Sequence, residues 1–157
     1  MFTLSEQGLE AVKRELARYE EKDSAIIPSL YIAQKENSGW VSNDVILHLS
    51  QVMGIPESRI NEVFKFYTMF NQGPVGKYHV QVCGNISCAL EGGRELAAHI
   101  CKELGVKMNE VTPDGRFTVS KVECLGSCGT APMMQVNDDY HERLTPETAM
   151  NLLRGMK

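Results

Sequence analysis

Apolar positions in the first part of the chain recur every three or four residues, and from about residue 77 they begin to alternate instead. In "SEQGLEAVKRELARYE" Leu9, Val12, Leu16 and Tyr19 share a stripe while Glu10 and Arg14 stand on another face, which predicts an amphipathic helix. "SAIIPSLYIAQKEN" predicts a second helix with Ile26, Ile27, Leu30 and Tyr31 turned inward, Asp23 or Ser24 as its cap and Pro28 in its first turn, where amides have no intrahelical partner. "SNDVILHLSQVMG" gives a third, capped by Ser42 and stopped by Gly54, and Pro56 opens a fourth that carries Ile60, Val63, Phe64 and Tyr67. Residues 1–72 therefore read as a small helical bundle. "NQGPVGK", with two glycines and a proline, marks the boundary to a second domain over residues 73–157.

In "KYHVQVC" Tyr78, Val80 and Val82 alternate with Lys77, His79 and Gln81, the period of a strand with one buried face, and the strand ends at Cys83. A helix follows on the stripe Leu96, Ala97, Ile100, Cys101 and Leu104, closed by Gly105. "TPDG" is a turn, "RFTVSKVEC" a second strand, "PMMQVND" a third, "YHERL" a fourth, and Pro146 opens a last short helix. The fold class is α+β.

A chain of 157 residues with 43% hydrophobic and 23% charged content has enough apolar material for a core. Its first residues lack the apolar run of a secretory leader, and no stretch approaches the roughly 20 apolar residues that span a bilayer, so a cytoplasmic protein without direct membrane insertion is expected. The formal charge of −4 argues against nucleic acid as a partner. "QVMGIPES" has the helix–glycine–helix outline of a DNA-binding turn, but acidic residues outnumber basic ones in that half of the chain. No G-x-G-x-x-G follows a strand and no G-x-x-x-x-G-K-[ST] loop occurs, so the chain is not expected to bind NADH alone.

The cysteines change the picture. In a reducing compartment an odd set of five points to metal or redox chemistry rather than to disulfides. Cys83 ends the first predicted strand with Cys88 five positions on, and Cys124 ends the second with Cys128 four positions on. Were the two strands parallel neighbours, both loops would lie at one end of the sheet and four thiolates could surround one inorganic centre. Thiolates suit zinc and iron–sulfur clusters alike, and the spacing does not choose between them. "CGNISC" and "CLGSCGTAP" hold no charged side chain, and their small residues Gly84, Ser87, Gly126, Ser127 and Gly129 leave amides free to bond sulfur, which favours a redox centre over a zinc clip used for assembly.

"VQVCGNISC", "FYTMFN" and "GVKMNEVTPDGRFTVSKVECLGSCGTAPMMQVNDDY" resemble the thioredoxin-like two-iron ferredoxin family, in particular the small [2Fe-2S] subunits of NADH:quinone oxidoreductase, respiratory complex I. The resemblance implies a thioredoxin-like second domain and a [2Fe-2S] cluster with Cys83, Cys88, Cys124 and Cys128 as its ligands. It implies one-electron exchange with the FMN of an NADH-oxidising partner subunit, FMN and NADH being reached only through that partner. It also implies a place in the peripheral arm of a membrane-associated complex. Soluble NAD-linked hydrogenases and formate dehydrogenases of the wider family use the same module. The C-x-x-C of a thiol oxidoreductase is absent from this chain, so dithiol exchange is not expected.

Other reactive residue types read as structural. Cys101 sits on an apolar stripe and is expected to pack as a small hydrophobe. His48, His79, His99 and His141 lack metal-ligand spacing, and no catalytic residue is expected. "FKFYTMF" carries more aromatic surface than one short helix face buries, so Phe66, Phe70 or both are expected either to pack within the chain or to dock a partner.

Overall fold

The computed structural model describes residues 1–156. The chain divides into two compact units, Met1–Pro74 and a second from Val75 onward.

The first unit is helical: α1 (Glu6–Arg18), a 3-10 turn (Lys22–Ala25), α2 (Ile26–Glu36), α3 (Asn43–Met53) and α4 (Glu57–Phe66). Two helix ends follow their local chemistry closely. Ser42 accepts a hydrogen bond from the Val45 amide at the start of α3, and Gly54 closes that helix at φ 65, a left-handed conformation that costs glycine no side-chain clash. The start of α2 differs from expectation, because no side chain caps it and the 3-10 turn leads into it directly. Val12, Ile26, Leu30, Ala33, Val45, Leu49 and Ile60 are all buried in one core. Tyr31, expected inward, is about half exposed and lays its ring edge-on against Phe70 at a 5.2 Å centroid distance.

The second unit runs β1 (Tyr78–Cys83), α5 (Ile86–Leu90), α6 (Gly93–Leu104), β2 (Phe117–Val122), a 3-10 turn (Cys128–Thr130), β3 (Met134–Val136), β4 (Asp139–His141) and α7 (Pro146–Gly155). Its sheet has the order β2-β1-β3-β4, with β1 and β2 parallel and the remaining pairs antiparallel. Val80, Val82, Phe117, Val119, Met134 and Val136 share a core with Leu96, Ala97 and Ile100 of α6 and with Ala149, Met150 and Leu153 of α7. Thr145 and Thr148 exchange side-chain-to-amide bonds at the head of α7, with Pro146 in its first turn.

Strand β1 departs from simple alternation. His79, placed on the polar phase by the sequence, is buried and meets the Ser120 hydroxyl at 2.8 Å. β1 is a central strand with β2 on one side and β3 on the other; the His79 ring meets Ser120 of β2, and its amide donates to the Asn137 side-chain oxygen at 2.9 Å.

Candidate metal centre

The parallel pairing of β1 with β2 sets the register Cys83↔Val122, so both chains leave the sheet at the same end. Cys83 is the last residue of β1, and Cys88 lies five residues on, inside α5. That short helix, which the apolar pattern did not reveal, begins where the Asn85 side chain accepts the Ile86 amide at 2.7 Å. Cys124 lies two residues beyond the end of β2 rather than on the strand, and Cys128 opens the 3-10 turn that follows.

Cys83, Cys88, Cys124 and Cys128 line one cavity of about 300 Å³ together with Asn85, Ile86, Ser87, Gly126 and Ser127. None of these lining residues carries a charged side chain, so four sulfurs and the loop amides dominate its chemistry. All four thiols are free; Cys83 and Cys88 are buried, while Cys124 and Cys128 are exposed. Met133 packs fully buried against the inner pair, with Leu125 and Ala131 beside it. A wider open groove of the first unit, lined by Phe2, Ser5, Glu36 and Asp44 among others, contains no cysteine.

Electrostatics fit a cationic guest. Burial pushes the Cys88 thiol up, its hydrogen bond with the Cys83 thiol and the nearby Cys128 push the same way, and the Met133 backbone pulls it down. A thiol that resists ionisation in this way ionises readily against bound positive charge, which is how thiolate metal sites couple ligand ionisation to binding. The Gly126 amide already points at the Cys124 sulfur at 3.4 Å, the kind of donor that tolerates extra negative charge on a cluster. Among the described residues no three His, Cys, Asp or Glu side chains converge as a site for a single ion requires. The sulfurs stand around the cavity wall instead.

Residues outside the expected set also touch this loop. The Ser127 hydroxyl bonds the Glu142 carboxylate and shares a 2.6 Å hydrogen bond with Thr130, and Tyr140 donates its hydroxyl to the Leu125 carbonyl at 2.9 Å. Hydrogen bonds to Glu142, led by that from Ser127, hold its carboxyl below the usual range. Nothing in the periodicity marks Tyr140 or Glu142, because the contacts span 15 residues of chain.

Cys101 is half-buried on α6 beside the core of the second unit, and burial pushes its thiol up, away from reactivity. Phe70 is 2% exposed and belongs to the core of the first unit, which removes it as a docking residue, whereas Phe66 is 77% exposed and leans on Tyr67.

Comparison with known proteins gives the chain's family. The family model described as thioredoxin-like [2Fe-2S] ferredoxin matches residues 12–157. The chain is 45% identical over 148 residues to the E 2 subunit of NADH-quinone oxidoreductase of Rhizobium meliloti (strain 1021), covering 94% of this chain and 88% of that protein. It is 40% identical over 158 residues to the mitochondrial NADH dehydrogenase [ubiquinone] flavoprotein 2 of Dictyostelium discoideum, covering 99% of this chain and 64% of that one. Among solved structures, NAD+-reducing [NiFe]-hydrogenase in its air-oxidised state superposes with a TM-score of 0.68 at 22% identity, over 80% of this chain and 22% of the hydrogenase chain, a likeness of fold. The H2-reduced state gives a TM-score of 0.69 at 23% identity. With its four cysteines around one cavity and these relatives along nearly its whole length, the chain belongs to the thioredoxin-like [2Fe-2S] ferredoxin family, and within it to the E subunits of NADH-quinone oxidoreductase.

Proposed function

We propose that this chain is a one-electron carrier of NADH:quinone oxidoreductase, holding a [2Fe-2S] cluster on Cys83, Cys88, Cys124 and Cys128 and exchanging electrons with the FMN of an NADH-oxidising partner subunit. The observation that carries the reading is the opening of all four cysteines into one uncharged cavity at the shared end of two parallel strands.

Bound there, a two-iron cluster supplies a site for a single electron. A nicotinamide gives up two electrons as hydride, so a flavin must stand between it and such a centre, and the chain has no dinucleotide loop of its own. The division of labour follows from the cysteine positions. Cys83 and Cys88 hold the inner side against Met133 and away from water, while Cys124 and Cys128 lie at the surface where a partner's electron can arrive. The Gly126 amide offsets negative charge at Cys124.

Docking falls to the apolar rim. Ile86 and Leu90, four residues apart on α5, are 75% and 82% exposed, and Ile86 lines the cavity itself. Side chains of this kind at a cluster mouth exclude water once a partner covers them. We assign the helical unit, through Phe66, a further part in partner docking, and we place the chain in the peripheral arm of the complex on the cytoplasmic side. No helix among the described residues is long and apolar enough to cross a membrane.

Purifying the chain with its native companions tests the whole reading. Iron and sulfide in equal amounts, a paramagnetic signal on dithionite reduction, and a co-purifying flavoprotein are expected; zinc without a reducible chromophore would reject the carrier role.

A further inference from the structure

The loop carrying the two exposed cysteines is tied down by a segment that comes later in the chain. The Tyr140 hydroxyl donates to the Leu125 carbonyl at 2.9 Å, and the Ser127 hydroxyl donates to the Glu142 carboxylate. The Arg143 amide donates to the Thr130 carbonyl at 2.8 Å, and the Leu144 amide to the Pro132 carbonyl at 2.9 Å. Inside the loop, the Thr130 amide reaches back to the Ser127 carbonyl at 3.1 Å. Four successive points from Leu125 to Pro132 are thus held by residues 140–144, on both sides of Cys128.

A glycine-containing loop at the surface is ordinarily mobile, and its sulfurs would have to find their positions during cluster binding. We propose that residues 140–144 form a strap that presets Cys124 and Cys128, with Glu142 as a positioning residue acting on Cys128 through Ser127. The proposal rests on the assignment of those cysteines as ligands. Two effects follow from one carboxylate. It fixes the hydroxyl next to Cys128 in place, and its negative charge beside the loop disfavours an added electron there. Arg143 stands next to it in the chain, and Lys121 and Glu123 lie on the segment entering the loop, so their charges stay constant when Glu142 alone is altered.

The test compares E142A, E142Q, S127A and the double variant S127A/E142A with the unaltered chain, each loaded with cluster. Release of iron to a chelator, the midpoint potential followed by paramagnetic resonance, and alkylation of the exposed cysteines before loading are measured. E142A and S127A are expected to release iron several-fold faster, and the double variant by less than the product of the two single effects, because the Ser127–Glu142 bond is common to both while each variant also loses a contact with Thr130. E142Q, whose amide oxygen still accepts from Ser127, is expected to keep the slow release and yet to raise the midpoint potential, since one negative charge is gone. That split is one a purely structural role would not produce. Unaltered release in E142A and S127A together with an unaltered potential in E142Q overturns the strap, as does a double variant whose effect equals the product of the two single effects. If the unaltered chain takes up no iron, the ligand assignment is what fails; faster alkylation of Cys124 and Cys128 in E142A than in the unaltered chain then still decides for the strap, and equal rates against it.

Discussion

Cys83 and Val122 stand opposite each other as the last register pair of two parallel strands. Cys83 lines the cysteine cavity and Val122 stands two positions before Cys124, which lines it too, so the sheet itself brings the two cysteine loops together.

Replacing any of the four cysteines by serine should therefore abolish or strongly weaken cluster binding, because oxygen is a harder donor than these irons prefer. Cys101→Ser should leave the cluster intact, since that side chain packs with the core of α6 and not at the cavity. Iron and sulfide content with the reduced-state spectrum checks both. A full cluster in Cys124→Ser would remove the assignment.

Gly93 makes the two cysteine segments fit. A Cβ there would lie 2.8 Å from the carbonyl oxygens of both Cys83 and Cys88, which are backbone atoms that cannot swing aside. Gly93→Ala should destabilise the second unit by about 1–3 kcal/mol, the usual range for overpacking, and should weaken cluster retention with it. Thermal melting beside chelator release measures the two together.

The aromatic run near the end of α4 separates into a core residue and a surface residue. Phe70→Ala should lower stability by about 3–5 kcal/mol, as truncation of a fully buried ring does. Phe66→Ser should leave the denaturation midpoint unchanged. Any effect of Phe66→Ser should then be confined to assembly with the partner, read by co-purification.

Ile86 and Leu90 together should matter for assembly and not for folding. Ile86→Ser/Leu90→Ser is expected to keep the cluster and the melting temperature while losing flavoprotein co-purification, because each side chain is mostly in water in the isolated chain. Undiminished co-purification would move the docking surface elsewhere.

Burial lowers the pKa of His79, which faces Ser120 between neighbouring strands. The folded form thus holds a proton less readily than the unfolded one. Above the ordinary histidine value of about 6.5 both are neutral and the residue adds no pH dependence; below it the unfolded chain binds the proton first, and stability falls as the pH drops toward the depressed folded value. Urea midpoints at about pH 8 and about pH 5.5 should show a larger acid loss in the unaltered chain than in His79→Gln.

Much of this architecture is written in neighbouring residues. Ser42 and Gly54 bound α3, Gly105 ends α6 in a left-handed conformation, and Pro146 begins α7, because caps and turns depend on a few adjacent residues whose backbone preferences act wherever the chain goes. The grouping of Cys83 with Cys88 and of Cys124 with Cys128 was legible for the same reason. Folding in three dimensions settled what periodicity does not encode: that β1 lies parallel to β2, that His79 of β1 is buried, and that Phe70 turns inward while Phe66 does not. It also settled that Tyr140 and Glu142 fasten the Cys124–Cys128 loop. Each of these depends on groups far apart in the chain meeting in space, and a hydrogen bond or a packed ring gains its free energy only from the partner that the fold delivers.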